Sequence, residues 1–285
     1  MKELMFKRRV NLLPKNFLEY PCLLFIIFII PVTYWFEIWV VLPCLFAEYP
    51  IVYWSCFLFG HFILHNVVGN LLGILMLDTS INGRIMPTAD VPGVRYCSIC
   101  NSYTPPRSFH CSSCNTCILK RDHHCVFTSC CIGFFNHRFF FYFVFYLMIA
   151  TSLFAPFNLY FVKSNLSLNH YNLAFAILFP FAALLLDLGS DTFDINLLYL
   201  LISVIGIIGI LFCTSWFYFH FKLILKGTLV YEMKNSNNIY NLGKRKNLEM
   251  VFGQRWPLTW VSPFLYSQLP CDGISFPVPE NIKDK

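Results

Sequence analysis

Charged residues are scarce in this chain: lysine, arginine, aspartate and glutamate make up 13% of its 285 residues, while 57% are hydrophobic. Soluble domains carry about a quarter of their residues as charges. The composition therefore excludes an ordinary soluble protein and indicates an integral membrane protein. A cleavable signal peptide is also not expected, because the first apolar run starts after about twenty residues and is too long for the core of such a peptide.

Basic side chains other than histidine are absent from residues 164–220. Lysine and arginine are instead concentrated near the N-terminus, in 78–138 and after 221. Because positively charged loops are retained in the cytosol, these three segments are predicted to be cytosolic. This placement requires an even number of membrane crossings. The net charge of +6 is therefore attributed to cytosolic loops, and nucleic acid is not an expected partner.

Four apolar runs have about the 20 residues needed to cross a bilayer: Tyr20–Leu42, Ile51–Leu77, Phe139–Val162 and Ile195–Phe221. A fifth run, Tyr171–Leu188, is broken by Pro180 and is interpreted as a lumenal re-entrant or interfacial segment. The predicted fold class is an all-α integral membrane protein with four transmembrane helices and a small cytosolic cysteine-rich domain. The predicted divisions are a cytosolic N-terminus (1–19), helices 1 and 2 (20–77), the cysteine-rich domain (78–138), helices 3 and 4 with segment 171–188 (139–221), and a cytosolic C-terminal segment (222–285).

Residues 97–131 contain eight of the thirteen cysteines and three of the eight histidines. Their spacing is that of metal ligands, since C-x2-C pairs are suited to tetrahedral zinc, and it does not resemble a secreted disulfide framework. Two Cys₃His sites need eight ligands, so three of the eleven candidates remain. Metal binding is expected to supply much of the folding free energy of this polar stretch. A purely structural zinc finger is the alternative at this point. The candidates are Cys97, Cys100, His110, Cys111, Cys114, Cys117, His123, His124, Cys125, Cys130 and Cys131.

The order of these residues resembles a known family. The run Cys97-x2-Cys100-x3-Thr-Pro-Pro-Arg-x2-His-Cys-x2-Cys-x2-Cys-x4-Asp-His-His-Cys125 is similar to that of the DHHC-type protein S-acyltransferases, or palmitoyltransferases. The continuation to Cys131, Gly133 and Asn136 fits, as do Tyr240-Asn-Leu-Gly and Asn247-x4-Phe-Gly in the tail. The ending around Asp272–Phe276 is similar to that of the short subtype twenty-four branch.

The resemblance implies a cytosolic catalytic domain with two structural Zn²⁺ ions in interleaved sites. One ion would be held by Cys97, Cys100, His110 and Cys117, and the other by Cys111, Cys114, His124 and Cys131. In the remaining residues, Cys125 is the candidate nucleophile, His123 its base, and Asp122 the group that orients the base.

A ping-pong reaction is implied as well. In it, a long-chain acyl group moves from acyl-CoA (palmitoyl-CoA) to Cys125 and then to a cysteine of a substrate protein. The expected partners are the lipid bilayer and membrane-associated proteins with cytosolic cysteines. Residence in the endoplasmic reticulum or Golgi is implied by the family.

Several positions depart from the family pattern. Phe127 replaces a tryptophan, Cys130 replaces an asparagine, and Asp78-Thr79-Ser80 stands where Asp-Pro-Gly is expected. Leu229-Val230-Tyr231-Glu232 retains only the acid of the Thr-Thr-x-Glu motif. These changes leave open an alternative function, a weakly active or inactive zinc-stabilised membrane adaptor of the same fold. Cys130 is interpreted as a small buried side chain, with a second acylation or resolving site as the alternative.

Overall fold

The computed structural model describes residues 8–9, 13–165, 173–188, 194–233 and 239–279. In the described chain the helices, in order, are α1 (Phe17–Phe46), α2 (Pro50–Met76), α3 (His137–Asn165), α4 (Leu173–Leu178), α5 (Pro180–Leu188), α6 (Ile195–Leu225), α7 (Lys244–Phe252) and α8 (Trp256–Thr259). By length and hydropathy α1, α2, α3 and α6 are able to cross a membrane. The prediction of four membrane helices is thus confirmed.

The fifth apolar run, 171–188, corresponds to the short helices α4 and α5, of six and nine residues. Its first two residues lie outside the described residues. Both helices are shorter than the about 20 residues that a membrane-spanning helix requires. Pro180 begins α5, which agrees with the preference of proline for the first turn of a helix.

The chain divides into two compact units. One comprises Ile27–His65 and Val144–Phe217. Its core contains Phe36, Val41, Phe161 and Ile202. Helix α1 tolerates the buried Glu37, where it takes a π-helical turn, because Asn158 of α3 donates a side-chain hydrogen bond of 2.7 Å to this carboxyl group. Polar pairs of this kind join helices in a membrane, where the alternative is an unsatisfied group in hydrocarbon.

The other unit comprises Met1–Ile26, Asn66–Phe143 and Tyr218–Lys285. Within it, α2 packs closely against its neighbours at two glycines. A Cβ atom at Gly69 would lie 2.4 Å from Pro263 Cγ, and one at Gly73 would lie 2.4 Å from Phe139 Cδ1. Since both distances are far below van der Waals contact, these positions require glycine.

Three short antiparallel hairpins form the cysteine-rich segment of this unit. They are β1 (Arg95–Cys97) with β2 (Ser102–Thr104), β3 (Phe109–Cys111) with β4 (Thr116–Ile118), and β5 (His123–Cys125) with β6 (Cys130–Ile132). Strands of three residues are too short to produce an alternating pattern in the sequence, so the hairpins were not predicted. Asn101, Asn115 and Ser129 close the turns with positive φ angles of 47–50°, a conformation that asparagine adopts more readily than most residues.

The segment that replaces the expected Asp-Pro-Gly motif packs along β4. The Leu119 N–H donates to Thr79 O at 2.9 Å, and the Ile81 N–H donates to Cys117 O at 3.0 Å. Asp78 stabilises the turn by accepting a 2.8 Å hydrogen bond from the Ser80 N–H. Ile81 then packs with Leu119 in a small apolar core. The end of α2 is thereby joined to the cysteine-rich hairpins.

Candidate active site

The hairpin of β5 and β6 separates its side chains onto two faces. Alternate residues of a strand point to opposite faces, and directly opposed residues of two strands point to the same face. His124 is paired with Cys131, whereas Cys125 is paired with Cys130. His123 and Cys125 therefore share one face of the hairpin, and His124 and Cys131 share the other. The consecutive residues His123 and His124 therefore lie on opposite faces of the strand, one beside Cys125 and the other beside Cys131.

Two groups of cysteine and histidine side chains converge as the ligand sets implied by the resemblance. In each group the four ligand atoms lie within 4.8 Å of one another. His110 Nδ1 lies 3.3–3.9 Å from the Sγ atoms of its three cysteines. For His124 Nδ1 the corresponding distances are 3.4–3.6 Å. The groups are Cys97, Cys100, His110 and Cys117, and Cys111, Cys114, His124 and Cys131.

These distances are those of the edges of a coordination tetrahedron. Zn–S bonds of about 2.3 Å and Zn–N bonds of about 2.0–2.1 Å give S···N edges of about 3.5 Å and S···S edges of about 3.8 Å. The Sγ atoms of Cys114 and Cys131 lie 3.7 Å apart. Both Cys₃His sets therefore fit zinc in a closed, structural coordination.

Glu19 supports the second of these sites. One of its carboxylate oxygens lies 3.1 Å from His124 Nε2, the ring nitrogen that faces away from the cysteines. Glu19 is only 4% exposed. A carboxylate on the outer nitrogen fixes the ring orientation and raises the basicity of a histidine ligand. Glu19 was not predicted as a site residue, because its contact with His124 joins segments 105 residues apart.

Asp122 and His123 form a buried pair beside Cys125. Asp122 Oδ2 lies 2.7 Å from His123 Nδ1, and Asp122 Oδ1 accepts a 3.0 Å hydrogen bond from the Val230 N–H. Val230 stands where the Thr-Thr-x-Glu motif has a threonine. The contact with Asp122 is made by the backbone N–H of Val230, so it does not require the threonine hydroxyl. His123 and Cys125 lie two residues apart on the same face of the hairpin, and each shifts the pKa of the other. The predicted nucleophile, base and orienting acid therefore follow one another in space.

The electrostatics of the pair favour a thiolate and an imidazolium. Burial lowers the pKa of His123, but the hydrogen bond to Asp122 and the interaction with the Cys125 thiolate outweigh burial and raise this pKa to about 9. Burial raises the pKa of the Cys125 thiol, but His123 and Thr128 bring the pKa below its ordinary value. Burial likewise raises the pKa of Asp122, and the His123 hydrogen bond helps to bring it well below the usual range. All three shifts favour the charged forms.

Cys130 lies opposite the nucleophile in the hairpin and is buried. Its Sγ donates to Thr128 Oγ1 at 3.4 Å and to Ile74 O at 3.8 Å. Burial raises the pKa of this thiol to about 12. These surroundings support the interpretation of Cys130 as a small buried side chain. Phe127 is half-buried in the same turn.

Arg107 connects the cysteine-rich segment to the chain after α6. Its Nε and Nη2 atoms donate to the two carboxylate oxygens of Glu232 at 2.7 and 2.6 Å, and Nη2 also donates to Gly227 O at 2.9 Å. The guanidinium lies 4.3 Å from the centre of the Tyr240 ring. Both partners of the ion pair are buried, with side-chain exposures of 4% and 12%. The one acid retained from Thr-Thr-x-Glu is therefore an anchor for the segment that carries Val230.

Comparisons with known proteins agree with the family expected from the motif. A family model described as DHHC palmitoyltransferase matches residues 91–237. The mouse "Probable palmitoyltransferase ZDHHC24" is 35% identical over 236 residues, which cover 76% of this chain and 76% of that protein. The zebrafish (Danio rerio) protein of the same name is 31% identical over 258 residues, with 89% and 81% covered.

A plant protein is similar over a shorter region. The Arabidopsis thaliana "Probable protein S-acyltransferase 13" is 34% identical over 186 residues, or 62% of this chain and 53% of that protein. The family match spans the cysteine-rich hairpins, α3, α6 and the Arg107–Glu232 pair, and so includes both Cys₃His sets and the Asp122–His123–Cys125 group. The chain therefore belongs to the DHHC palmitoyltransferase family.

Proposed function

We propose that this protein is a protein S-acyltransferase that carries a long-chain fatty acyl group on Cys125. The observation that supports this most directly is the Asp122–His123 pair on the same face of the hairpin as Cys125, with the Val230 N–H on the other carboxylate oxygen of Asp122. A thiolate beside a histidine that is oriented by an acid is the arrangement required for nucleophilic catalysis on an acyl group. Family membership and the names of the relatives support the same activity.

The first half-reaction loads the enzyme. His123 takes the Cys125 thiol proton, and the thiolate sulfur attacks the carbonyl carbon of a long-chain acyl-CoA thioester such as palmitoyl-CoA. The bond from that carbon to the sulfur of CoA then breaks, and the CoA thiolate leaves with the proton held by His123. Asp122 stabilises the imidazolium while it carries the proton. The product is an acyl thioester on Cys125.

In the second half-reaction the acyl group is transferred to a substrate protein. His123 takes the proton of a substrate cysteine, whose sulfur attacks the acyl carbon and displaces the Cys125 thiolate, which recovers the proton. The two Cys₃His sets would hold structural zinc, whose role is to keep the hairpins folded. Four protein ligands in each set would complete the coordination of the ion, so the chemistry is assigned to the side chains of Cys125, His123 and Asp122.

The membrane setting suits this substrate. Leaving an acyl chain in water costs about 0.8 kcal/mol per CH₂ group, so apolar helices next to Cys125 favour its retention. The concentration of lysine and arginine in the cysteine-rich segment and at the two ends of the sequence supports a cytosolic active site. The substrates would then be membrane-associated proteins with cytosolic cysteines, at the endoplasmic reticulum or Golgi.

Acylation of the purified protein tests this proposal. The full chain in detergent is incubated with radiolabelled palmitoyl-CoA, and the label is then challenged with hydroxylamine, which cleaves thioesters. We expect label on the wild type and on the control Cys44→Ser, which removes an exposed cysteine of α1, and none on Cys125→Ser. Two zinc ions per chain are expected in all three. An unlabelled wild type, or a fully labelled Cys125→Ser protein, would refute the proposal and favour the adaptor alternative.

A further inference from the structure

Three histidine side chains lie near the Asp122 carboxylate, whereas the proposed reaction uses only His123. Besides His123, the side chains of His137 and His220 place a ring nitrogen near it, and the ligand-type atoms of Asp122, His137 and His220 all lie within 4.8 Å of one another. Each of these three residues is 2% exposed. The cluster lies outside both Cys₃His sets, and neither additional histidine was predicted as a site residue.

His220 contacts the same carboxylate oxygen as the proposed base. Its Nδ1 lies 3.6 Å from Asp122 Oδ2, which is within ion-pair distance but longer than a hydrogen bond, whereas His123 Nδ1 lies 2.7 Å from this oxygen. The rings of His123 and His220 are 5.3 Å apart between centroids. The two imidazoles thus approach Asp122 Oδ2 together.

Phe140 fixes the positions of both imidazoles. Its ring is edge-on to His123, with centroids 4.8 Å apart, and edge-on to His220, with centroids 4.9 Å apart. His137 opens α3, three residues before Phe140. In the part of the chain that the structure describes, neither ring nitrogen of His137 has a hydrogen-bond partner. A buried imidazole is costly without a polar neighbour, and the Asp122 carboxylate is such a neighbour.

The orientation of Asp122 decides where His123 points. His123 Nδ1 is hydrogen-bonded to Oδ2, which leaves Nε2 as the ring nitrogen available to Cys125 on the same face of the hairpin. If the carboxylate turned about its Cβ–Cγ bond, Oδ2 would leave His123 and the imidazole would lose its alignment. The Val230 N–H restrains only the other oxygen, Oδ1. A second contact on Oδ2 therefore restrains the atom that aligns the base.

We propose that His220 is a positioning residue for acyl transfer, which holds Asp122 Oδ2 against His123 so that Nε2 of His123 faces Cys125. The proposal rests on the function proposed above. His220 acts through Asp122, whose Oδ2 lies 3.6 Å from His220 Nδ1. The His137 imidazole lies near the same carboxylate.

Two substitutions of His220 separate positioning from packing. His220→Asn retains a polar nitrogen beside Asp122, because the asparagine Nδ2 occupies about the place of the histidine Nδ1. His220→Leu removes the polar nitrogen but keeps an apolar side chain against Phe140. A role in packing predicts that leucine is tolerated better than asparagine. Positioning predicts the reverse order. His65→Leu is the control, because it removes an exposed histidine from α2.

The measurement is the single-turnover rate of Cys125 acylation with palmitoyl-CoA, on the full chain in detergent, together with the KM for palmitoyl-CoA, the melting temperature and the zinc content. We expect His220→Leu to lower the rate on the order of 10²-fold, the effect of misalignment by about 1 Å, with KM unchanged. His220→Asn should restore most of the rate, and His65→Leu should match the wild type. All variants should keep two zinc ions.

Three results would overturn the proposal. The first is a His220→Leu rate equal to that of the wild type, and the second is an asparagine variant no faster than the leucine variant. The third is a wild type with three zinc ions and a His220→Leu variant with two, which would make Asp122, His137 and His220 a metal site instead. A wild type that takes no label at all contradicts the proposed function itself, so the two failures are distinguishable.

Discussion

Breaking the Arg107–Glu232 ion pair is expected to detach the chain after α6 from the cysteine-rich hairpins. The pair is bidentate, with N–O distances of 2.6 and 2.7 Å, and both side chains are buried. Removal of one partner of such a pair costs about 3–5 kcal/mol, because the other charge stays buried without compensation. Arg107→Leu loses in addition the contact with Tyr240, worth about 0.5–2 kcal/mol.

The free energy lost with the ion pair makes local opening of residues 227–233 more frequent. Every 1.4 kcal/mol is a factor of ten in an equilibrium, so loss of the pair raises the open population of the segment by about 10²- to 10⁴-fold. Val230 lies in this segment, and its N–H holds Asp122 Oδ1. Hydrogen exchange of residues 227–233 should therefore accelerate by that factor in Arg107→Leu and Glu232→Leu, and the acylation rate of Cys125 should fall with it.

A double-mutant cycle gives the decisive comparison. Replacing both members of a buried ion pair by apolar residues is often neutral or even stabilising. The double variant Arg107→Leu/Glu232→Leu should therefore exchange more slowly than either single variant. Arg245→Leu is a suitable control, because its ion pair with Glu249 is exposed, with 88% exposure of the arginine side chain. Effects of the two single substitutions that simply add in the double variant would refute the reasoning, as would single substitutions as mild as the control.

Three further predictions concern other contacts. Glu19→Gln should weaken the second zinc site by about 10–100-fold, measured as faster loss of one of two zinc ions to a chromogenic chelator; equal loss from both sites would contradict this. Gly73→Ala should destabilise the protein by about 1–3 kcal/mol, because its Cβ meets the Phe139 ring at 2.4 Å, whereas Gly206→Ala, with its nearest neighbour at 3.9 Å, should leave the melting temperature unchanged. Cys130→Ser should keep two zinc ions and full acylation of the protein, since the serine hydroxyl inherits the partners of the thiol; loss of label would indicate an acyl-carrying role for Cys130.

The fold class and the family were predictable because their signals are local or periodic. A run of about 20 apolar residues is a membrane helix whatever surrounds it, and C-x2-C brings two sulfurs together through a single turn. The proposed ligand sets and the roles of Asp122, His123 and Cys125 came from the same short motif. The structure brings these residues together in the arrangement that the motif implied.

The remaining parts of the site depend on contacts between distant segments. Arg107 and Glu232 are 125 residues apart, and Glu19 and His124 are 105 apart. Nothing in the local sequence around Glu19 or His220 distinguishes it from other polar residues near a span. Their partners are decided by how helices and hairpins pack, and so they were not predicted. The Asp122–Val230 contact was missed for another reason: a backbone amide leaves no trace in the sequence.

With zinc bound to the proposed ligands, the pairing of His124 with Cys131 would link metal occupancy to the position of the proposed nucleophile. Because alternate residues face opposite sides of a strand, a slip of one residue between β5 and β6 would turn Cys125 toward the zinc side and His124 away from it. A bound ion forbids that slip, since both opposed residues are its ligands. In a newly made chain without metal, Cys125 would therefore be free to turn to the wrong face of the hairpin, and the chain would be inactive. Acyl transfer would then begin only after the chain has bound its metal ions.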